Sequence, residues 1–212
     1  MSTTLAQLRT KTLIALDDPN GVNWSNTVID SHINDAQRAL WIELSDQDDS
    51  FGQREATATM VDGQEDYPLP ADILGRRIRA LYAYDAVTDD WSEIVKAGLE
   101  EVIADGMTEV DNPYKYCLLD GYIKLGPPPG SAANTLRIFY IRQPTVLTAA
   151  TDTMDSDDEY AEYIAVDAAV RAMLPKGGDV TYLTGKKAEL LAEAQKSVMS
   201  EALIQAKVVW NY

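Results

Sequence analysis

The chain has 212 residues, 46% of them apolar, and its 18 Lys and Arg against 34 Asp and Glu leave a formal net charge of −16 at pH 7. One cysteine, Cys117, and one histidine, His32, exclude an internal disulfide and a His/Cys zinc cage, and the acidic balance excludes a basic stripe for gripping phosphates. No stretch approaches the about 18 apolar residues of a membrane span, and the polar opening lacks the core of a signal peptide, so the composition predicts a soluble chain made in a reducing cytoplasm.

In chain order, Leu5, Leu8, Thr12, Leu13 and Leu16 recur at three- and four-residue spacing behind Thr4-Leu5-Ala6-Gln7, which predicts a helix opened by a capping box. Asp17-Asp18-Pro19-Asn20-Gly21 stops it. Ser25 is placed to cap a second helix, whose Ile29, Ile33, Ala36, Leu40 and Leu44 form one apolar stripe. The two helices are expected to pair as an antiparallel hairpin.

From about Ser45 the period changes to two. Glu55, Thr57, Thr59 and Val61 alternate with Ala56, Ala58 and Met60, a pattern that predicts a strand. Asp62-Gly63 reads as a turn, and the prolines of Tyr67-Pro68-Leu69-Pro70 require extended backbone. A strand follows at about Arg77 to Tyr84, then a turn leading to Trp91, then a short helix carrying Leu99, Val102 and Ile103. Asp120-Gly121 between the runs 114–119 and 122–125 supplies the positive φ angles of a type I′ turn and so predicts a β-hairpin. Leu136, Ile138 and Tyr140 alternate with Arg137, Phe139 and Ile141 in a further strand.

After Thr145 the pattern returns to helix. Ser156-Asp157-Asp158-Glu159 offers a second capping box, and Asp155, Asp157, Asp158 and Glu159 sit at the positive end of the helix dipole that follows. Between Tyr160 and Leu174, Ala161, Ala165, Ala168, Ala169 and Ala172 accompany Tyr163, Ile164, Val166 and Val170, which predicts a helix packed closely on several sides. A last helix is expected to start between Asp179 and Thr184 and to run to about Ala206, with Leu191, Ala194, Val198 and Ala202 on one stripe. The apolar tail of Val208, Val209, Trp210 and Tyr212 either docks on a neighbour or folds back on its own core. Together the elements predict an α+β fold: a helical bundle from residues 1–46 and 150–206, an antiparallel β-sheet or sandwich inserted over 47–149, and a C-terminal arm over 207–212.

No motif predicts catalysis, a metal or a cofactor. Gly185-Lys186-Lys187 has Val180 where a phosphate loop needs glycine and lacks the Ser or Thr after its lysine. The prolines between Gly126 and Gly130 remove the N–H groups that would cradle a phosphate. His32 reads as a packing or surface histidine and Cys117 as a small buried hydrophobe. Asp152, Asp155, Asp157 and Asp158 lack the calcium-loop pattern and fit helix capping.

The order of Trp24-Ser25, Gly63…Tyr67-Pro68-Leu69-Pro70-Ala71-Asp72-Ile73, Asp120-Gly121-Tyr122-Ile123-Lys124-Leu125-Gly126-Pro127-Pro128, Tyr140…Gln143-Pro144 and Asp158-Glu159-Tyr160 resembles the head-to-tail adaptor (neck, or connector) proteins of tailed bacteriophages over nearly the whole chain. The resemblance implies a non-enzymatic virion protein, without cofactors or membrane contact, that forms a ring of about twelve copies beneath the portal. Its implied partners are the portal protein, a downstream tail or nozzle protein and its own copies, while DNA passes through the lumen without specific binding. In that frame the helical part meets the portal and the β-region faces the tail. Val208, Val209, Trp210 and Tyr212 become a portal-docking arm. Ala161, Ala165, Ala168, Ala172, Leu191 and Val198 suit packing between subunits, the alanine-rich helix serving the internal core as well, and Asp157, Asp158, Glu159, Glu162, Glu189 and Glu193 become candidates for an acidic lumen. Two competing readings are a carboxylate-dependent, phage-associated cell-wall hydrolase and an acidic DNA mimic that occupies a basic cleft on a host protein.

Overall fold

The structure, a computed structural model, describes residues 2–48, 50–86, 88–106, 112–130 and 134–209. It is α+β, and the chain divides into two compact units: Met1–Phe51 with Pro144–Tyr212, and Gly52–Gln143.

The first unit is helical. Helix α1 (Leu5–Ala15) opens with the expected capping box: the Gln7 N–H donates to Thr4 Oγ1 at 3.3 Å, and the Thr4 N–H donates to Gln7 Oε1 at 2.8 Å. It stops where Asp17 and Gly21 take left-handed backbone, and the buried Asp18 carboxylate accepts from the N–H groups of Val22 and Asn23 at 3.0 and 2.8 Å. Helix α2 (Asn26–Gln47) buries the stripe Ile29, Ile33, Ala36, Leu40 and Leu44, while Ser25 occupies its N-cap without a side-chain bond. Arg9 ties α1 to α2 through both oxygens of Asp30, at 2.5 and 2.7 Å.

Helix α4 (Ala161–Met173) packs against α1, α2 and the last helix, α5 (Thr181–Val209), and is buried almost all round because its alanines leave room for close neighbours. At 1.5 Å per residue α5 is about 43 Å long. It runs three residues past its expected end, so Val208 and Val209 lie on the helix rather than in an extended tail. One core gathers Leu5, Leu8, Ile33, Leu40, Ile164 and Val198, with a smaller cluster of Val166, Val170 and Leu183 beside it.

The second unit holds two four-stranded sheets. The first runs β1-β8-β3-β4, all antiparallel, from β1 (Gln53–Thr59), β8 (Thr135–Arg142), β3 (Ile73–Asp85) and β4 (Asp90–Glu93). The second runs β2-β7-β6-β5, from β2 (Asp66–Pro68), β7 (Tyr122–Gly126), β6 (Lys115–Leu119) and β5 (Val95–Lys96). The β6–β7 hairpin turns on Asp120 and Gly121, at φ 41° and 89°, as expected from Asp-Gly. Leu81, Leu136 and Ile138 of the first sheet meet Tyr67, Tyr116, Ile123 and Leu125 of the second in one core. Helix α3 (Leu99–Gly106) lies so close to β7 that a Cβ on Gly126 would stand 2.7 Å from the Val102 carbonyl.

Two features differ from expectation. Strand β5 pairs with β6 in parallel, so the second sheet is mixed rather than antiparallel. Strand β4 follows the turn before Trp91, where no strand is expected. Both are two to four residues long, too short to carry a period of two.

Candidate assembly surfaces

The acidic entry to α4 is built from the N-terminus of the chain. A 3₁₀ turn, Asp158–Tyr160, precedes the helix, and Asp158 accepts from both the N–H and the hydroxyl of Thr3, at 2.5 and 2.6 Å. The Thr3 hydroxyl, first among several contacts, holds the Asp158 carboxyl below the usual range. The second capping box does not form. Asp157 takes the N-cap position without a side-chain bond, the Ser156 hydroxyl is buried without a partner among the described residues, and Glu159 instead accepts from Ser197 of α5 at 2.9 Å. A cleft of about 110 Å³ between α4 and α5 is lined by Glu159, Tyr160, Tyr163, Leu190, Glu193 and Ser197. Burial, then the neighbouring Asp167, pushes the Tyr163 phenol up to about 12. Burial and Glu159 raise Tyr160 as well.

All six acidic candidates, Asp157, Asp158, Glu159, Glu162, Glu189 and Glu193, are exposed, but they differ in what surrounds them. Asp158 and Glu159 accept the bonds above, and Glu162 pairs with Lys186 of α5. Asp157, Glu189 and Glu193 form no ion pair among the described residues.

Ala161, Ala165, Ala168, Ala172 and Val198 are buried by the chain's own helices, and Leu191 alone of the packing set is half-buried. The reason is volume. Alanine lets α1, α2 and α5 approach α4 closely, and the approach covers the methyl groups. Asp167, which the sequence pattern did not single out, is 1% exposed on α4 and accepts from Arg171 at 2.9 Å and Lys187 of α5 at 2.7 Å. Of the C-terminal arm, Val208 and Val209 belong to the backbone of α5, and Trp210 and Tyr212 lie outside the described residues.

A second surface lies on the outer face of the β1-β8-β3-β4 sheet and went unread in the sequence. Tyr82 is the cross-strand partner of Arg137 and Glu93, and Tyr84 that of Trp91, so these side chains share one face. The Arg137 guanidinium bonds both oxygens of Glu55, at 2.6 and 2.7 Å, and stands 5.4 and 5.0 Å from the ring centroids of Trp91 and Phe139. Phe139 meets Tyr82 edge-on at 6.0 Å, and Tyr84 meets Trp91 at 5.1 Å. A groove of about 430 Å³ opens over this floor, and Trp91 is 42% exposed there. The available signal was the spacing Tyr82-x-Tyr84 with Arg137-x-Phe139, aromatic on the alternate positions opposite the core residues Leu81, Ala83 and Ile138.

Cys117 is buried on β6, and burial pushes its thiol up, away from the nucleophilic thiolate. His32 is half-buried on α2. Among the described residues no helix is long and apolar enough to cross a membrane. A search of curated proteins finds no match. The model of one family, described as SU10 adaptor protein, matches residues 3–207. Because that match covers nearly the whole of a chain with a helical unit interrupted in sequence by two small sheets, the chain belongs to the SU10 adaptor protein family, structural head-to-tail adaptors of bacteriophages.

Proposed function

We propose that this adaptor forms a ring, of about twelve copies, beneath the portal in the virion neck, and that DNA leaves the capsid through it. The family match across residues 3–207 carries the reading. The helical unit meets the portal protein, with Val208, Val209, Trp210 and Tyr212 as its docking arm, and the β unit meets a tail or nozzle protein. Contacts between copies fall on exposed residues, since the alanines of α4 are occupied in the core. Twelve copies at −16 each carry −192 formal charges, and an acidic bore would repel phosphates within a screening length of about 8 Å, so DNA would slide without specific binding. Asp157, Glu189 and Glu193 suit that bore best, because none of them forms an ion pair among the described residues.

Native mass measurement of the full chain mixed with its purified portal tests the reading. A closed multimer bound to the portal is expected, and a monomer or dimer that ignores the portal would sink it. Deleting residues 207–212 should leave a folded chain that no longer joins portal-bearing capsids; unchanged attachment would remove the arm from the reading.

A further inference from the structure

The outer face of the first sheet has the composition of a binding centre rather than of a solvated surface. Tyr, Trp and Arg are the residues on which interface energy concentrates, and here Tyr82, Trp91, Phe139 and Arg137 line a groove open to solvent. The face also displays the chemistry it selects. Its own Arg137 is held by a carboxylate, Glu55, and by the rings of Trp91 and Phe139. Arg137 and Glu55 cancel each other. Glu93 remains beside Tyr82, two residues from Trp91 on the same face, exposed and without a described cation. With Asp89, which accepts from the Tyr84 hydroxyl at 2.5 Å beside Trp91, the face therefore keeps negative charge among its aromatic rings that no described ion pair offsets, which fits a further cation.

The edge supplies the second half of the site. Strand β4 ends the sheet order, so one side of its backbone pairs with no strand among the described residues. The Ile94 N–H donates to Leu81 at 2.8 Å, which assigns the inward bonds to Ile94 and Ser92 and leaves the Glu93 N–H directed to the open edge. An extended segment added there would place every second side chain over Trp91 and Glu93.

We propose that this edge and face dock an extended segment of the tail-side partner in which Lys or Arg alternates with aliphatic residues, the cations lying over Trp91 and against Glu93. The proposal rests on the neck reading for the partner's position and on the sheet itself for the partner's chemistry.

Two measurements keep these apart. In the first, the full chain is titrated with an acetylated, amidated Lys-Val-Lys-Val-Lys peptide or its Glu-Val-Glu-Val-Glu counterpart, following the Trp91 indole N–H signal by NMR. The lysine peptide should move that signal saturably and bind at least about tenfold more tightly than the glutamate peptide, and Glu93→Lys should erase the preference. Equal binding of the two peptides, or no movement at Trp91, would overturn the proposal whatever the protein does in a virion. In the second, phage carrying Trp91→Ala or Glu93→Lys should assemble capsids that hold the adaptor but gain tails at least about tenfold less often. Tail joining at the wild-type rate overturns the proposal. So does loss of the ring itself, which would make the face a contact between copies. A wild-type particle lacking this chain at the neck would instead overturn the adaptor reading and leave the peptide result to decide the groove.

Discussion

Asp167 shows how a residue is decided by neighbours far along the chain. A carboxylate 1% exposed is costly unless its charge is met, and here one cation comes from the next turn of α4 and another from α5. Asp167→Ala should destabilise the protein by about 2 to 4 kcal/mol, measured by urea unfolding, because Arg171 and Lys187 lose their shared partner but are exposed enough to regain some water. Tyr163 gives a test by pH. Its phenol is raised to about 12 in the folded chain against an ordinary value near 10, so the neutral form is favoured by folding. That contribution is complete below pH 10 and is lost as pH rises towards 12. Thermal melts should therefore fall in temperature across this window, and Tyr163→Phe should fall less steeply.

Among elements, α4 is the one whose composition matters most. Ala168 is fully buried where α4 is enclosed by three helices, so Ala168→Leu should cost about 1 to 3 kcal/mol by overpacking, read from the shift of the denaturant midpoint. The helices and the longer strands were legible because a period of 3.6 or 2 repeats enough times within each to stand out. The two capping boxes mark where local pattern stops being sufficient. Thr4 and Gln7 bond each other, whereas Ser156 and Glu159 do not, although both pairs have the right spacing. At the second site Thr3 claims Asp158 and Ser197 claims Glu159, partners 155 and 38 residues away. Strands β4 and β5 were unreadable for a related reason: their identity lies in the strand beside them.

For the whole molecule, charge is the quantity that assembly multiplies. Replacing Asp157, Glu189 and Glu193 with Lys raises each copy from −16 to −10, and if these residues line the bore, DNA release from complete particles should slow, most at low salt. A dye-based ejection assay measures this, and normal release at low salt would exclude that face. The sequence by itself determined the α+β class, the order of the main elements, the hairpin turn and the likeness to phage adaptors, because periodicity, turn chemistry and motif order are properties of neighbouring residues. Only the tertiary structure decided that Asp167 is buried between two cations, and that Tyr82, Trp91, Arg137 and Phe139 gather on one open face. Those outcomes depend on which distant residues meet and on what the meeting covers, and burial is a property of the packed pair rather than of either partner.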